Sequence, residues 1–135
     1  MADTIQLEIV TPERLVAKDD VEEIQIPGLS GYLGILPGHA PLITEVGVGE
    51  ITYRVAGHSV RLSVAWGFAE VLPDKVTILA ETAEKAEEID VHRAQAAKTR
   101  AEEELRKAGA AGNSEAQAAL ERAKSRIEVA GKTSA

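Results

Sequence analysis

Cysteine is absent from all 135 residues, which removes disulfides, thiolate ligands and thiol nucleophiles together and suits a reducing compartment. Aromatic residues are scarce, with one Trp, two Tyr and one Phe. The tyrosines, Tyr32 and Tyr53, have no flanking cluster of Lys and Arg, and a nucleic acid needs a basic footprint, so nucleic acid is not an expected partner. Only His39, His58 and His92 could supply imidazole. They are spread along the chain without an HExxH pattern or an acidic calcium loop, and no metal is expected. Long apolar runs are missing as well: nothing approaches the roughly 20 residues that cross a bilayer. The N-terminus, MADTIQLEIV, lacks a basic region followed by an apolar stretch. The expectation is a soluble intracellular protein, which can still attach to a membrane complex.

What is present divides into two regimes. Residues 1–82 carry five Lys or Arg against twelve Asp or Glu, whereas 83–135 carry ten of each, so the net charge of -7 belongs to the first part. That part alternates apolar and polar residues with a period of two. Ile5, Leu7 and Ile9 share one face, as do Ile24 and Ile26, then Ile51, Tyr53 and Val55, then Val60, Leu62 and Val64. Ala56-Gly57-His58-Ser59 and Pro73-Asp74 have turn composition. Many short strands without a crossover helix predict an antiparallel β-sandwich or flattened barrel over 1–82. Trp66 and Phe68, on one side of a strand pattern, are read as core or edge packing.

Gly31 to Leu42, GYLGILPGHAPL, interrupts the strands with three glycines and two prolines. It predicts a shaped loop whose apolar side chains are either tucked under the domain or offered to something outside it.

After Thr82, fifteen of 53 residues are alanine and Glu, Lys, Arg and Gln fill the gaps, a composition that predicts helix. One helix is expected from near Ile89-Asp90 to near Lys107, and a second from Ser114, with Ser114 and Gln117 as a capping box, to about Ala130. The short connection Gly109 to Asn113 makes them an antiparallel hairpin. Their seams are thin: Ile89, Ala97, Ala101 and Leu105 on the first, and Ala116, Ala119, Leu120, Ala123, Ile127 and Ala130 on the second. Alanine buries little area, so the hairpin is expected to detach easily.

No catalytic set emerges. Ser30, Ser63 and His39 lack a GxSxG elbow, and GxxxxGK[ST] is absent. Arg93 and Arg100 share a helical face, as do Arg122 and Arg126, and the hairpin brings Arg93 level with Arg126 and Arg100 level with Arg122. Such a cluster either holds an anion such as phosphate or is neutralised by Glu102, Glu103, Glu104, Glu121 and Glu128 on an exposed face.

GYLGILPGHAPL, SVAWGFAEVLPDKVTILAETAE and the Ala-rich hairpin, in that order, resemble the epsilon subunits of bacterial-type F1Fo ATP synthases over essentially the whole length. The resemblance implies an antiparallel sandwich of about ten strands followed by a two-helix antiparallel hairpin, in a non-catalytic rotor subunit. It would lie peripherally on the cytoplasmic side of the bacterial cell membrane. The sandwich would join the gamma subunit to the ring of c subunits, with Gly31, Tyr32, Leu33, Gly34, Pro37, Gly38, His39, Ala40 and Pro41 beside the c ring. Many members carry glutamate where Tyr32 stands, so an aromatic contact with a polar tip would replace an ionic one. The hairpin, 83–135, would meet the alpha and beta subunits when extended and restrain ATP hydrolysis. Ile89 to Ala94 also resembles the I/L-D-x-x-R-A motif of members that bind ATP. This implies ATP as a regulatory ligand of Asp90 and Arg93, with Glu84, Arg100, Arg122 and Arg126 added, and a second role as an ATP-binding conformational sensor.

Overall fold

The computed structural model describes residues 3–132; residues 1–2 and 133–135, at the outer ends of the two expected parts, lie outside it. Period-two alternation produces eight strands: β1 (Ile5–Val10), β2 (Leu15–Val21), β3 (Glu23–Gly28), β4 (Gly31–Ile35), β5 (Leu42–Val46), β6 (Gly49–Val55), β7 (His58–Val71) and β8 (Lys75–Lys85). The number is below ten because β7 and β8 are long, at 14 and 11 residues. The pairing is antiparallel except between β1 and β8, which run parallel with Leu7 opposite Val76 and Ile9 opposite Ile78. Gln6 N donates to Asp74 O at 3.0 Å and fixes that start. Alternation reports which face a residue takes and not the direction of its neighbour, so the mixed sheet has no separate sequence signal.

The sheet folds back on itself through β7. Its first half pairs with β6, Gly49 opposite Val64 through Val55 opposite His58, and its second half with β5, Val46 opposite Gly67 through Leu42 opposite Val71. β3 joins β6, β5 and β4 on the far side. The apolar face so enclosed contains Ile5, Leu7, Ile9, Ile24, Ile26, Ile51, Tyr53, Leu62 and Ile78, all nearly inaccessible. Each such aliphatic side chain contributes roughly 1.5–3 kcal/mol by leaving water. The buried Tyr53 hydroxyl donates to Asp19 Oδ2 at 3.1 Å. Burial, with Asp19 beside it, raises its pKa well above that of an ordinary phenol.

Trp66, at φ 47°, marks the point where β7 changes partner. A left-handed backbone is costly for a bulky residue and turns the strand sharply there. Ala56 and Gly57, at φ 49° and 83°, form the two-residue turn between β6 and β7. Glu22 braces this turn, accepting from Gly57 N at 2.7 Å and from Arg54 Nε at 3.3 Å. These donors, Gly57 first, hold the Glu22 carboxyl below the ordinary carboxylate range. The brace is therefore present above that range and lost as pH falls through the lowered pKa.

The expected loop is a loop only in part. Gly31–Ile35 is β4, an edge strand paired with β3 alone, where absent rungs are tolerated. The connection proper is Leu36 to Pro41.

β8 continues through Thr82 to Lys85, and the helical part follows a short turn at Ala86–Glu88. α1 spans Val91–Ala108, capped by Asp90, whose Oδ1 accepts from Arg93 N at 3.0 Å. α2 spans Ser114–Ala130. The capping box expected at Ser114 and Gln117 does not form: Asn113 caps, accepting from Ala116 N at 3.0 Å, and Ser114 is the first helical residue. Asn is as good a cap as Ser, and its extended backbone suits the role. α1 packs chiefly on α2, while α2 also packs on β6 and β7. Contact on two sides widens the buried arc of α2. Ser125 and Val129 are buried along with Ala116, Leu120 and Ala123.

Candidate functional site

Three surfaces carry the residues singled out in the sequence. The first is the Leu36 to Pro41 turn. Gly38, at φ 89°, donates its N–H to Pro73 O at 2.8 Å and ties the turn to the β7–β8 connection. His39 N donates to Leu36 O at 3.1 Å and its Nδ1 to Ala40 O at 2.6 Å. His39 thus fixes the turn. Leu36, Ala40, Pro41, Leu42 and Leu72 are exposed around it, so the outward alternative describes this end. Tyr32 is set apart from the turn. It lies on β4 opposite Pro27, with Gly31 and Gly34 exposed and Leu33 half-buried nearby. Its hydroxyl accepts from Glu50 N at 3.2 Å, on the side facing α2.

The second surface is the outer face of β5, β7 and β8. Phe68 stands beside Glu45 and Leu79, and it is 55% exposed; Ile43 is 71% and Leu29 65% exposed. An open groove of about 620 Å³ runs between Leu29, Val46, Trp66, Phe68 and Leu79, with Glu45 and Glu81 at its rim. The expected packing role fails for Phe68. The left-handed turn at Trp66 shifts the alternation of β7, leaving Trp66 half-buried and Phe68 outside, both on the wall of this groove. Alternation counts cannot register such a reversal, whereas the Trp66-Gly67 pair is a composition that permits one.

The third surface lies between the hairpin and the sheet. Arg93 from α1 and Arg126 from α2 converge on one carboxylate, Glu84 of β8, at 3.0 Å each. Glu84 and Arg126 are largely covered, with side chains 19% and 20% exposed, whereas Arg93 is 61% exposed. Burial, aided by the neighbouring Arg93 and Arg122 charges, lowers the Arg126 pKa although Glu84 opposes this. Arg122 stands over the Trp66 ring at 5.2 Å from its centroid, a cation–π contact. Arg100 is exposed on α1 and does not join them. In place of the expected meeting of four guanidiniums, two of them, Arg93 and Arg126, meet on a sheet carboxylate, and Arg122 stands near Arg126 over Trp66. The neutralising acid is Glu84, not the helical glutamates, because two long arginines reach past the helix surface to the strand below. Asp90 is engaged as the α1 cap.

Sequence reasoning missed the buried contact that docks α2. Ser125 Oγ lies 2.8 Å from Ser63 Oγ and donates to Gly49 O at 3.2 Å. Two residues beyond α2, Lys132 Nζ donates to Glu50 Oε2 at 3.0 Å, and Arg61 pairs with Glu50 Oε1 at 3.2 Å. The only advance sign was a serine amid the alanines of the α2 face. Among the described residues, no group of three or more His, Asp or Glu side chains is placed to hold a metal, and no helix is long and apolar enough to cross a membrane.

Comparison with known proteins assigns both parts. Residues 4–86 match the family model of the ATP synthase delta/epsilon chain beta-sandwich domain, and 87–131 that of its long alpha-helix domain. The chain is 67% identical over 109 residues to the ATP synthase epsilon chain of Koribacter versatilis, covering 81% of this chain and 77% of that one. It is 49% identical over 133 residues to that of Solibacter usitatus, covering 98% and 99%. Among solved structures, a chain of the Euglena gracilis mitochondrial ATP synthase OSCP/F1/c-ring structure superposes with a TM-score of 0.81 at 23% identity, over 96% of this chain and 82% of that one. A chain of the Tetrahymena thermophila central stalk/c-ring structure gives 0.60 at 16%, over 97% and 96%; both likenesses concern the fold. With both parts matched in order and these two relatives covered over 77% and 99% of their length, the chain belongs to the ATP synthase delta/epsilon family.

Proposed function

We propose that the chain is a non-catalytic subunit of the central stalk of an F1Fo ATP synthase, peripheral on the cytoplasmic side of the membrane. In this reading its sandwich joins the gamma subunit to the c ring, and its hairpin restrains ATP hydrolysis when it extends to the alpha and beta subunits. Family membership names the complex, and the observation that carries the attachment is the outer face. Leu29, Ile43, Phe68 and Leu79 all lie more than half exposed, a concentration of apolar side chains that a free surface seldom keeps without a partner. Gamma is assigned to this face. The c ring is assigned to the Leu36 to Pro41 turn, with Gly31 to Gly34 leading into it. The sandwich, expected over 1–82 and carried by β8 to Lys85, serves attachment, and the helical part after it serves regulation.

Aromatic anchors at the centre of an apolar interface carry a disproportionate share of affinity, commonly about 2 kcal/mol or more each. Phe68→Asp is therefore expected to weaken association with purified gamma by at least roughly 30-fold. Its circular dichroism should be unchanged, since Phe68 already faces water. Equal affinity of the variant and the parent, by titration calorimetry, would move gamma to another face.

A second reading, an ATP-responsive sensor, is favoured by the Arg93, Arg122 and Arg126 cluster. The donors suit a polyphosphate: Glu84 is an internal anion held by two guanidiniums, the geometry in which arginine also takes phosphate oxygens. Asp90 adjoins as the N-cap of α1, and Arg100 is exposed further along the same helix. Calorimetric titration with ATP up to millimolar concentration is expected to show binding, weakened about tenfold by Arg126→Ala or Arg93→Ala. Absence of heat and of any spectral change in the parent chain would remove this reading and leave the stalk role intact.

A further inference from the structure

We infer that Tyr32 is a strut that positions the end of β6 on which α2 docks, joining the strand that leads into the Leu36 to Pro41 turn to the helical hairpin. The ladder between β3 and β6 covers Glu23, Ile24 and Gln25 opposite Arg54, Tyr53 and Thr52, and then stops. Beyond it β3 reaches the buried Pro27, which has no N–H to donate, and pairs with β5 at Gly28 instead. The first residues of β6 therefore lose a strand on that side. The Tyr32 hydroxyl fills the place, accepting from Glu50 N at 3.2 Å, while its cross-strand position opposite Pro27 sets the ring beside that proline.

The same two residues of β6 receive the hairpin. Gly49 O accepts from Ser125 Oγ at 3.2 Å, and the Glu50 carboxylate takes Lys132 at 3.0 Å. A pocket between Tyr32, Gly49 and Glu50 opens directly onto Ser125, Glu128 and Val129 of α2. The packing is close. A Cβ on Gly49 would fall 2.9 Å from both Tyr32 Oη and Pro27 Cβ. Tyr32 thus holds from one side a peptide that α2 holds from the other, and a shift of β4 displaces the acceptor on which Ser125 depends. Tyr32 is a positioning residue of the dock. The inference rests on the reading that the hairpin leaves the sandwich, although its test does not need the other subunits.

The test uses the absence of native cysteine. Val129, 1% exposed and packed with Ala86 and Ile89, is replaced by cysteine in the full chain, and its thiol-labelling rate reports opening of the dock. A second probe, Ala69→Cys at a fully buried position in β7, reports opening of the sandwich. Tyr32→Phe, which removes only the hydroxyl, is expected to speed labelling at position 129 two- to tenfold, the range for one net hydrogen bond, and to leave position 69 unchanged. Gly49→Ala, which crowds Tyr32 and Pro27, should shift the rate at 129 in the same direction. Unchanged labelling at 129 in Tyr32→Phe, or equal acceleration at both probes, would overturn the inference. So would a Tyr32→Phe chain that loses c-ring association with no change at 129. Failure of the hairpin to extend in the assembled complex, seen by a distance probe at Ala111, would count against the regulatory reading alone.

Discussion

Gly67→Ala is expected to cost the sandwich roughly 3 kcal/mol or more, above ordinary overpacking, and to lower its urea midpoint accordingly. A Cβ at this position would stand 1.8 Å from Leu79 O and 2.8 Å from the Ala80 Cα. Both are backbone atoms of β8, so no rotamer change relieves the collision. The strands must part where Gly67 pairs with Ala80, immediately after the turned Trp66. Everything that depends on the change of partner in β7 depends on this approach: closure of the sheet, the outward placing of Phe68, and the seat of Trp66 under Arg122. Gly34→Ala is the control, since nothing lies within 4 Å of its added carbon; its midpoint should stay close to that of the parent chain. Equal midpoints for the two variants would contradict the packing described.

Glu84→Gln is expected to loosen the hairpin by about 10- to 100-fold in its docking equilibrium, the effect of losing charge-assisted hydrogen bonds worth about 1.5–3 kcal/mol. The two ion pairs do not share this equally. Arg93 is 61% exposed and its pair is screened, contributing at most about 1 kcal/mol. The covered Arg126 keeps its charge after the substitution and loses its counterion beside Arg93 and Arg122. By contrast, neutralising the exposed Glu88 of the Arg14 pair should change docking little. Thiol labelling at Val129→Cys measures both, and an unchanged rate in Glu84→Gln would show that the alanine seam alone holds the hairpin.

The strands of the sandwich and the extent of both helices were legible because each rests on a local period, two for Ile5, Leu7 and Ile9, and close to 3.6 along the alanines. The levels of Arg93 and Arg126 followed from the short connection between the helices. What the sequence concealed depends on reversals and long-range partners. Trp66 turns the β7 alternation, so Phe68, read from the sequence as core or edge packing, stands on the outer face. Glu84 enters the sequence reading only through the family resemblance, because it lies on a strand that no helical spacing describes, and Ser125 finds Ser63 across 62 positions. Tyr32 belonged to a glycine-rich segment that read as loop, yet β4 makes it a strand residue with an internal partner. Weak docking was anticipated from thin alanine packing. The structure adds polar attachments at Ser125, Arg126 and Lys132, the ion pairs among them responsive to salt.

Association with gamma tests the central reading most directly. Native mass measurement of the full chain mixed with purified gamma is expected to show a one-to-one complex. The complex should persist when the chain is cut after Lys85, where β8 ends, and disappear in Phe68→Asp. Absence of a complex with the parent chain, or one that requires the hairpin and ignores Phe68, would contradict attachment through the outer face of the sandwich.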